Sequence, residues 1–518
     1  MNKRNYNVFF HLHTVSGIVI SVALYIIFFA GAFALIKDEI TAWEKGDTVQ
    51  LEQALDVDYD KITAVIKEEG YNLEGRNIRL VMPDVKQEVL VILSGSKYED
   101  ASDEDKQGAF FYINTINYTR SDYYTFYSFG ELIYRLHFFS QIPKIGTYLA
   151  GFVALFFLFA ITTGIIVHWK KIISNFYVFR PKAKFKTIWT DAHTALGVIG
   201  LPFQFVYAVT SCFLCLSILV LIPGNFIYNN NQKKLSEDLR PMTKDYPITY
   251  KTHTEFSLNP FMEQTLEKWE TFSPSQVYIR NYGDSNMKFQ VDGMVSTQQK
   301  FIGHGRIVYN VPTNDVLSIK DPLKSNYIEA VEMTVRKLHF GDFGGYWLKL
   351  VYFIMAFITC FVIISGVLIW LEARNKKNVP EKRRKYNEKV GHIYLAICLS
   401  MYPITALSMI VSKLIPRSLD ASRLTILYCV FFGGWLLLSI FFRFKRDNYF
   451  TNKYTLLIGS ILGFLIPIVN GISSGNWFWI TFQNGQTAIF LIDAFWIVLS
   501  TISTLIILKM NKKILDKN

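Results

Sequence analysis

The residues with the clearest capacity for chemistry are histidines, four of which recur as two pairs along the chain. His137 and His339 precede two long apolar segments, whereas His13 and His193 begin two others. A bis-histidine haem b site requires two imidazoles at one depth on facing helices. The pattern therefore favours two haem b groups, one held by His137 and His339 and the other by His13 and His193.

A simpler explanation exists for each of these histidines taken alone. Imidazole is amphipathic and is tolerated at a membrane surface, where it can hydrogen-bond headgroups or loop carbonyls. Matched pairs are harder to explain in this way than isolated residues. His168 and His392 have no counterpart among the histidines, so they are fallback ligands for the site of His13 and His193.

The elements that must position these histidines are membrane helices. The 518 residues are 51% hydrophobic and only 19% charged, below the roughly 25% of globular chains. Apolar runs of about 20 residues are long enough to cross a bilayer as helix. We predict a membrane all-α helical bundle with eight spans, at residues 13–36, 146–168, 193–222, 346–370, 392–414, 423–442, 455–473 and 487–508.

The net charge of +12 is explained by membrane topology and not by nucleic-acid binding, which we exclude. Lysine and arginine cluster in the two tails and the short loops, whereas most carboxylates lie in the long loops, 37–145 and 223–345. An excess of basic residues marks the cytoplasmic face. Both termini are therefore predicted inside and both long loops outside.

Each long loop has the pattern of a small α+β domain. A helical stretch comes first in each, and period-two alternation of apolar residues then indicates strands. The predicted helices lie at residues 59–69 and 261–269. The predicted strands lie at 78–81, 88–93 and 109–114 in the first loop, and at 277–280, 287–291, 306–311 and 316–319 in the second.

An internal repeat relates the first four spans. Leu136-His137-Phe138 returns as Leu338-His339-Phe340, and the two histidines precede Gly164 and Gly366 by the same interval. His13-Thr14-x-x-Gly17 returns as His193-Thr194-x-x-Gly197. Two copies of a span, outer-domain, span unit are therefore predicted. Gly17 and Gly197 would let a flat macrocycle approach the backbone.

The chain resembles the PepSY-associated transmembrane helix family over residues 8–372. The resemblance rests on the paired histidines, on the Leu-His that precedes a span, and on a glycine followed by a tryptophan, Trp169 or Trp370, where the span ends. The resemblance implies two PepSY-like extracytoplasmic domains and a bacterial inner-membrane haem protein that reduces ferric siderophores. The corresponding segments are 1–36 (span 1), 37–145 (first domain), 146–222 (spans 2 and 3 with a basic loop), 223–345 (second domain), 346–372 (span 4), 373–391 (basic loop) and 392–518 (a four-span bundle).

No nucleotide or hydrolase motif competes with an electron-transfer function, because the chain has no P-loop, H-E-x-x-H, dinucleotide fingerprint or G-x-S-x-G. Electrons would come from a membrane quinol or a redox protein, and the substrate would be a ferric siderophore or another ferric chelate. Asp493, deep in a span, is a candidate for a proton or quinol role, or is shielded by Asn484 or Gln486. The alternative function is a haem-free scaffold or transport accessory whose outer domains bind a peptide or protein.

Overall fold

In the part of the chain that the structure describes, eight helices are long and apolar enough to cross a membrane, which confirms the predicted number of spans. The computed structural model describes residues 2–46, 57–82, 88–123, 127–170, 172–178, 180, 182–216, 218–239, 244–252, 254–269, 271–416, 419 and 421–510. Within these residues, spans 1 to 8 are Lys3–Ala34, Gly146–His168, Lys186–Cys215, Asp342–Ala373, Glu381–Leu414, Ser422–Lys445, Asn448–Ser474 and Thr487–Lys509.

Several helices begin well before their apolar blocks. The first starts at Lys3, where the side chain of Asn2 accepts a hydrogen bond from the backbone N–H of Asn5 at 2.8 Å. The third starts at Phe185. His13 and His193 were expected at the ends of their helices, but they lie two turns or more inside them. Hydropathy marks the part of a helix that suits lipid, whereas backbone hydrogen bonding continues through polar residues beyond it.

The spans belong to one compact unit, formed by Met1–Gly46, Tyr127–Ile222 and Val335–Asn518. Spans 1 to 4 form a closed ring in which span 1 packs on spans 2 and 4, and span 3 packs on the same two. Spans 7 and 8 pack together, and the second half of span 5 packs on span 7. The repeat therefore corresponds to a four-helix ring, with the last four spans packed beside it.

Shorter helices of this unit flank the spans. Phe129–His137 ends at the start of the segment that leads into span 2, and Tyr327–Phe340 precedes span 4. Lys37–Lys45 follows span 1. The remaining helices outside the spans are Tyr59–Glu68, Ile172–Phe176, Ile218–Ile227, Gln232–Leu239, Asn259–Lys268 and Phe478–Gln483.

The second compact unit, Asp47–Phe126 with Pro223–Thr334, contains a single eight-stranded antiparallel sheet. Its strands are β1 (Ile78–Val81), β2 (Glu88–Leu93), β3 (Ala109–Asn114), β4 (Arg120–Asp122), β5 (Ser273–Arg280), β6 (Lys288–Met294), β7 (His304–Asn310) and β8 (Asp315–Lys320). Their order is β4-β3-β2-β1-β5-β6-β7-β8. Each loop supplies a helix followed by a four-stranded meander, the same order in both copies.

The two meanders are joined through β1 and β5, and this differs from the expectation of one separate module per loop. Leu80 pairs with Val277 and Ile78 with Ile279 in this central contact. One apolar core serves both halves, since the Tyr59 ring of the first half lies 5.8 Å from the Phe289 ring of the second. Pairing β1 with β5 covers an edge strand of each meander, so neither edge is left open.

Candidate functional site

The structure brings His137 and His339 together as neighbours in the membrane unit. Their ring centres are 6.0 Å apart, with the ring planes inclined at 39°. His137 is the last residue of its short helix, and His339 is the next-to-last residue of the equivalent helix in the second repeat copy. We call them the sheet-side pair, because the strand-bearing segments join the chain next to them.

His13 and His193 also lie together, one on span 1 and the other on span 3. Their ring centres are 6.3 Å apart and the ring planes are inclined at 70°. We call them the loop-side pair. The two pairs occupy different depths, because His13 lies well before Ile27 on span 1, and the carbonyl of Ile27 contacts His137. That stretch of helix is about four turns long, or roughly 21 Å.

The spacing within each pair is the spacing that a shared metal requires. A metal–nitrogen bond is about 2 Å, and about 1 Å separates each ring centre from its ligating nitrogen, so two axial imidazoles stand about 6 Å centre to centre. Both pairs meet this condition. Among the described residues no cluster of three or more histidine, cysteine or acidic side chains could hold a metal ion. Two ligands alone suit a metal whose other positions are filled by a macrocycle.

All four imidazoles have a hydrogen-bonding contact at Nδ1, which leaves Nε2 as the nitrogen available to a metal. A carbonyl can only accept, so at three of the four rings Nδ1 must carry the proton. This second contact fixes the ring orientation, as is usual for metal-binding histidines. The acceptors are Ala160 O for His13 (2.8 Å), Val362 O for His193 (2.9 Å), Ile27 O for His137 (2.7 Å) and Thr210 Oγ1 for His339 (2.9 Å).

The sheet-side pair is held in the neutral, ligating form. Burial lowers the pKa of His137, although the bond to the Ile27 carbonyl opposes that effect. Burial and the neighbouring His137 together lower the pKa of His339 to about 3. Both rings are therefore uncharged at neutral pH. An uncharged imidazole with a free nitrogen lone pair is the form that binds a metal.

Glycines make room for the rings, although in a pattern that the sequence did not reveal. A Cβ at Gly31 would lie 2.7 Å from Nδ1 of His137. At Gly164 and Gly366 it would lie 3.1 Å from Cε1 of His13 and 3.2 Å from Cε1 of His193. The two glycines that follow the sheet-side histidines at equal intervals thus serve the loop-side pair.

The two glycines expected to admit a macrocycle border open space. A Cβ at Gly17 or at Gly197 would meet no described atom within 4 Å. Both follow a loop-side histidine by one helical turn. Their role beside a macrocycle stays a prediction.

A cavity of about 270 Å³ adjoins the sheet-side pair. Its wall is largely apolar and aromatic, with the polar side chains of Tyr134 and Arg336 beside the two histidines. The aromatic members are Phe28, Phe138, Phe157, Phe203, Tyr207 and Phe340. Flat ring faces and a small number of polar groups suit a flat, mostly apolar cofactor with a charged edge.

The two fallback ligands are placed differently, since His168 interacts electrostatically with both His13 and His193, whereas His392 has polar partners of its own. The Nδ1 atom of His392 lies 2.7 Å from Oδ1 of Asn448, and its Nε2 lies 3.6 Å from a carboxylate oxygen of Glu388. Both of its nitrogens therefore face polar partners. His168 is the half-buried last residue of its helix.

Asp493 has partners that the sequence did not identify. The indole N–H of Trp43 and the side-chain amide of Asn470 each donate to its carboxylate at 2.8 Å. All three side chains are fully buried. Trp43 lies in the first fifth of the chain and Asp493 near its end, so no local pattern could have paired them. Trp43 and Asn470 thus shield the carboxylate of Asp493.

The helices and side chains thus define a multi-pass membrane protein with two facing pairs of histidines. The family model of the PepSY-associated TM region matches residues 10–373, well over half of the chain. The chain therefore belongs to the PepSY-associated TM family. No curated protein matched the chain.

Proposed function

We propose that this protein carries electrons through two haem b groups of a bacterial inner membrane and reduces ferric siderophore iron on the periplasmic side. The observation that supports the proposal is the two histidine pairs. In each pair the ring centres are about 6 Å apart, and each Nδ1 has a hydrogen-bonding partner outside the pair. His137 and His339 hold one haem, and His13 and His193 hold the other. Haem iron, when bound, supplies a one-electron carrier at each position.

The chain contributes position and environment to the two carriers. Span 1 supplies His13 for one site and the Ile27 carbonyl for the other. Span 3 supplies His193 for one site and Thr210 for the other. Two helices thus fix both sites at a set separation, and their apolar surroundings exclude water. The low polarity of the sites also helps to determine the reduction potentials.

The direction of electron flow follows from topology. The excess of lysine and arginine in the tails and short loops supports cytoplasmic termini and a periplasmic sheet unit. A membrane quinol or a redox protein delivers electrons, and an external ferric chelate receives them at the sheet-side site. Hard oxygen ligands bind Fe(II) more weakly than Fe(III), so the reduction releases the metal from its chelator. The sheet unit helps to dock the chelate.

Alanine variants of the four paired histidines test the proposal. His137→Ala and His339→Ala are each expected to lower the haem content of the purified protein from two per chain to one. His13→Ala and His193→Ala are expected to remove the other haem. The measurement is haem per protein from the absorption of the pyridine complex, together with reduction of an external ferric chelate by the protein in vesicles.

His304→Ala is the matched control, because His304 lies in β7 of the other compact unit, where it contacts Glu329. It should retain two haems. If the wild-type protein binds no haem, or if the paired-histidine variants keep their full content, the haem proposal is wrong. A haem-free scaffold that binds a peptide or protein partner then becomes the better explanation.

A further inference from the structure

The two repeat copies agree at the level of single atoms around the loop-side pair. The carbonyls that accept from His13 and His193 belong to Ala160 and Val362, which are related by the same sequence offset as His137 and His339. That offset also relates Gly164 to Gly366, the glycines that face these two rings. The two loop-side histidines are therefore held by equivalent main-chain atoms, although Nδ1 of His193 also lies 3.2 Å from the hydroxyl oxygen of Ser365.

The sheet-side pair breaks this symmetry. His137 donates from Nδ1 to the main-chain carbonyl of Ile27 at 2.7 Å, whereas the Nδ1 of His339 lies 2.9 Å from the side-chain hydroxyl of Thr210. The Thr210 hydroxyl donates its own proton to the carbonyl of Val206 at 2.7 Å. Its oxygen is thus left to accept from His339.

The internal repeat shows what Thr210 replaces. Spans 1 and 3 are related by the sequence offset that takes His13 to His193. The same offset takes Ile27 to Tyr207 and Ala30 to Thr210. In the first copy, Ala30 leaves the Ile27 carbonyl open to the histidine. In the second copy, the Thr210 hydroxyl lies 3.3 Å from the Tyr207 carbonyl and occupies the acceptor position itself.

The two acceptors differ in strength. A peptide carbonyl is a better acceptor than an alcohol oxygen, so it draws more strongly on the Nδ1 proton and makes the imidazole a more basic ligand. A more basic axial ligand favours the oxidised metal and lowers the reduction potential. His339 is therefore the least basic of the four ligands by virtue of its acceptor.

We infer that Thr210 is a positioning residue that raises the reduction potential of the sheet-side haem. The inference rests on the proposed function, and it adds the direction of electron transfer between the two haems. A higher potential at the sheet-side site makes electron transfer from the loop-side site favourable. Thr210 acts through His339 and touches neither electron donor nor ferric chelate in this scheme.

Three substitutions at Thr210 test the inference through the reduction potential of the sheet-side haem. Two of them should shift it in opposite directions, and the third should leave it unchanged. In Thr210→Ala, His339 can donate directly to the Tyr207 carbonyl, as His137 does to Ile27, so the sheet-side potential is expected to fall. In Thr210→Val the methyl group keeps the carbonyl covered and offers no acceptor, so the potential is expected to rise. Thr210→Ser keeps the hydroxyl and should leave the potential unchanged.

The measurement is a redox titration of the haem absorption of the full-length protein in detergent. The wave that disappears in His137→Ala identifies the sheet-side haem. The potential of the other haem should be the same in every Thr210 variant. Thr210→Ala removes no atom that haem binding requires. If Thr210→Val fails to retain haem, the potential of Thr210→Ala alone therefore tests the inference.

The possible failures are distinguishable. Two haems in the wild-type protein with an unchanged or raised potential in Thr210→Ala would overturn the role of Thr210 and leave the proposed function standing. Shifts of the same sign in Thr210→Ala and Thr210→Val would do the same, since they would indicate a general disturbance. A wild-type protein without haem would overturn both.

Discussion

A single added methyl group at Gly31 is expected to remove the sheet-side haem. The Cβ of alanine at this position would lie 2.7 Å from Nδ1 of His137, whereas an ordinary contact begins at 3.4 Å. The ring must therefore retreat by several tenths of an ångström, away from the carbonyl of Ile27, which now accepts at 2.7 Å. A metal–ligand distance tolerates only about 0.2 Å of error.

The cost of Gly31→Ala can be estimated from the bond that is lost. A buried N–H group left without an acceptor costs about 1–3 kcal/mol. This corresponds to a loss of roughly 5- to 150-fold in haem affinity at the sheet-side pair. The loop-side pair should be unaffected, because His13 and His193 rest on Gly164 and Gly366. The expected product is a protein with one haem per chain.

The assay is haem per protein, with the redox titration used to show which of the two waves is lost. Gly433→Ala is the matched control, because an added Cβ there meets no described atom within 4 Å and lies in span 6. Helix formation itself favours alanine over glycine by about 1 kcal/mol, so a general loss of fold is not expected in either variant. Two haems with unaltered potentials in Gly31→Ala would refute the reasoning about His137.

Three further predictions concern other parts of the chain. Arg423 and Glu44 form an ion pair in which both side chains are buried; Arg423→Met should destabilise the membrane unit by about 3–5 kcal/mol in thermal unfolding, and Glu44→Gln in addition should restore part of the loss. Burial opposes ionisation of Asp284, but hydrogen bonds from Tyr98, Thr249 and Asn286 outweigh it and hold its pKa below the usual 3.8. Its stabilising effect is therefore present above that pH and lost as the pH falls further, so the protection of β5 and β6 amides, measured relative to intrinsic exchange, should fall between about pH 4 and pH 2, and less so in Asp284→Asn. Reporter fusions after residues 100, 300 and 518 should report outside, outside and inside; an external C-terminus would contradict the topology.

The parts of this structure that could be predicted from sequence are those with a repeating signal. Hydropathy is averaged over a whole span, so the eight spans were found, but helix starts such as Lys3 were missed, and the third span, predicted to reach residue 222, ends at Cys215. The partners within each histidine pair were predictable because the repeat places His137 and His339 at equivalent positions. Their hydrogen-bond acceptors were not, because every residue carries a carbonyl and only helix packing selects Ile27 or Val362.

Contacts between residues far apart in the sequence could not be predicted either. Seven of the eight strands were visible as alternating apolar residues, whereas β4, three polar residues long, was missed. Nothing in the alternation of β1 indicates that its free edge pairs with β5. The same holds for Trp43 and Asp493, whose contact depends on how the helix after span 1 packs on span 8. Gly31 was missed because glycine is common in membrane helices and carries no spacing signal relative to His137.

The pairing of β1 with β5 also has a consequence for how the protein is made. Leu80 and Val277, which pair at the centre of the sheet, are far apart in the chain, with spans 2 and 3 between them. At a synthesis rate of about 5–20 residues per second, the first meander waits roughly 10–40 s for its partner. During that interval the edge of β1 is open, and spans 2 and 3 are being inserted into the membrane. The sheet can therefore be completed only after spans 2 and 3 have returned the chain to the side of the membrane where the first meander lies. A closed sheet thus requires that both spans have been inserted correctly. An error in the insertion of span 2 or span 3 would leave the edge of β1 exposed, and open strand edges are sites of aggregation.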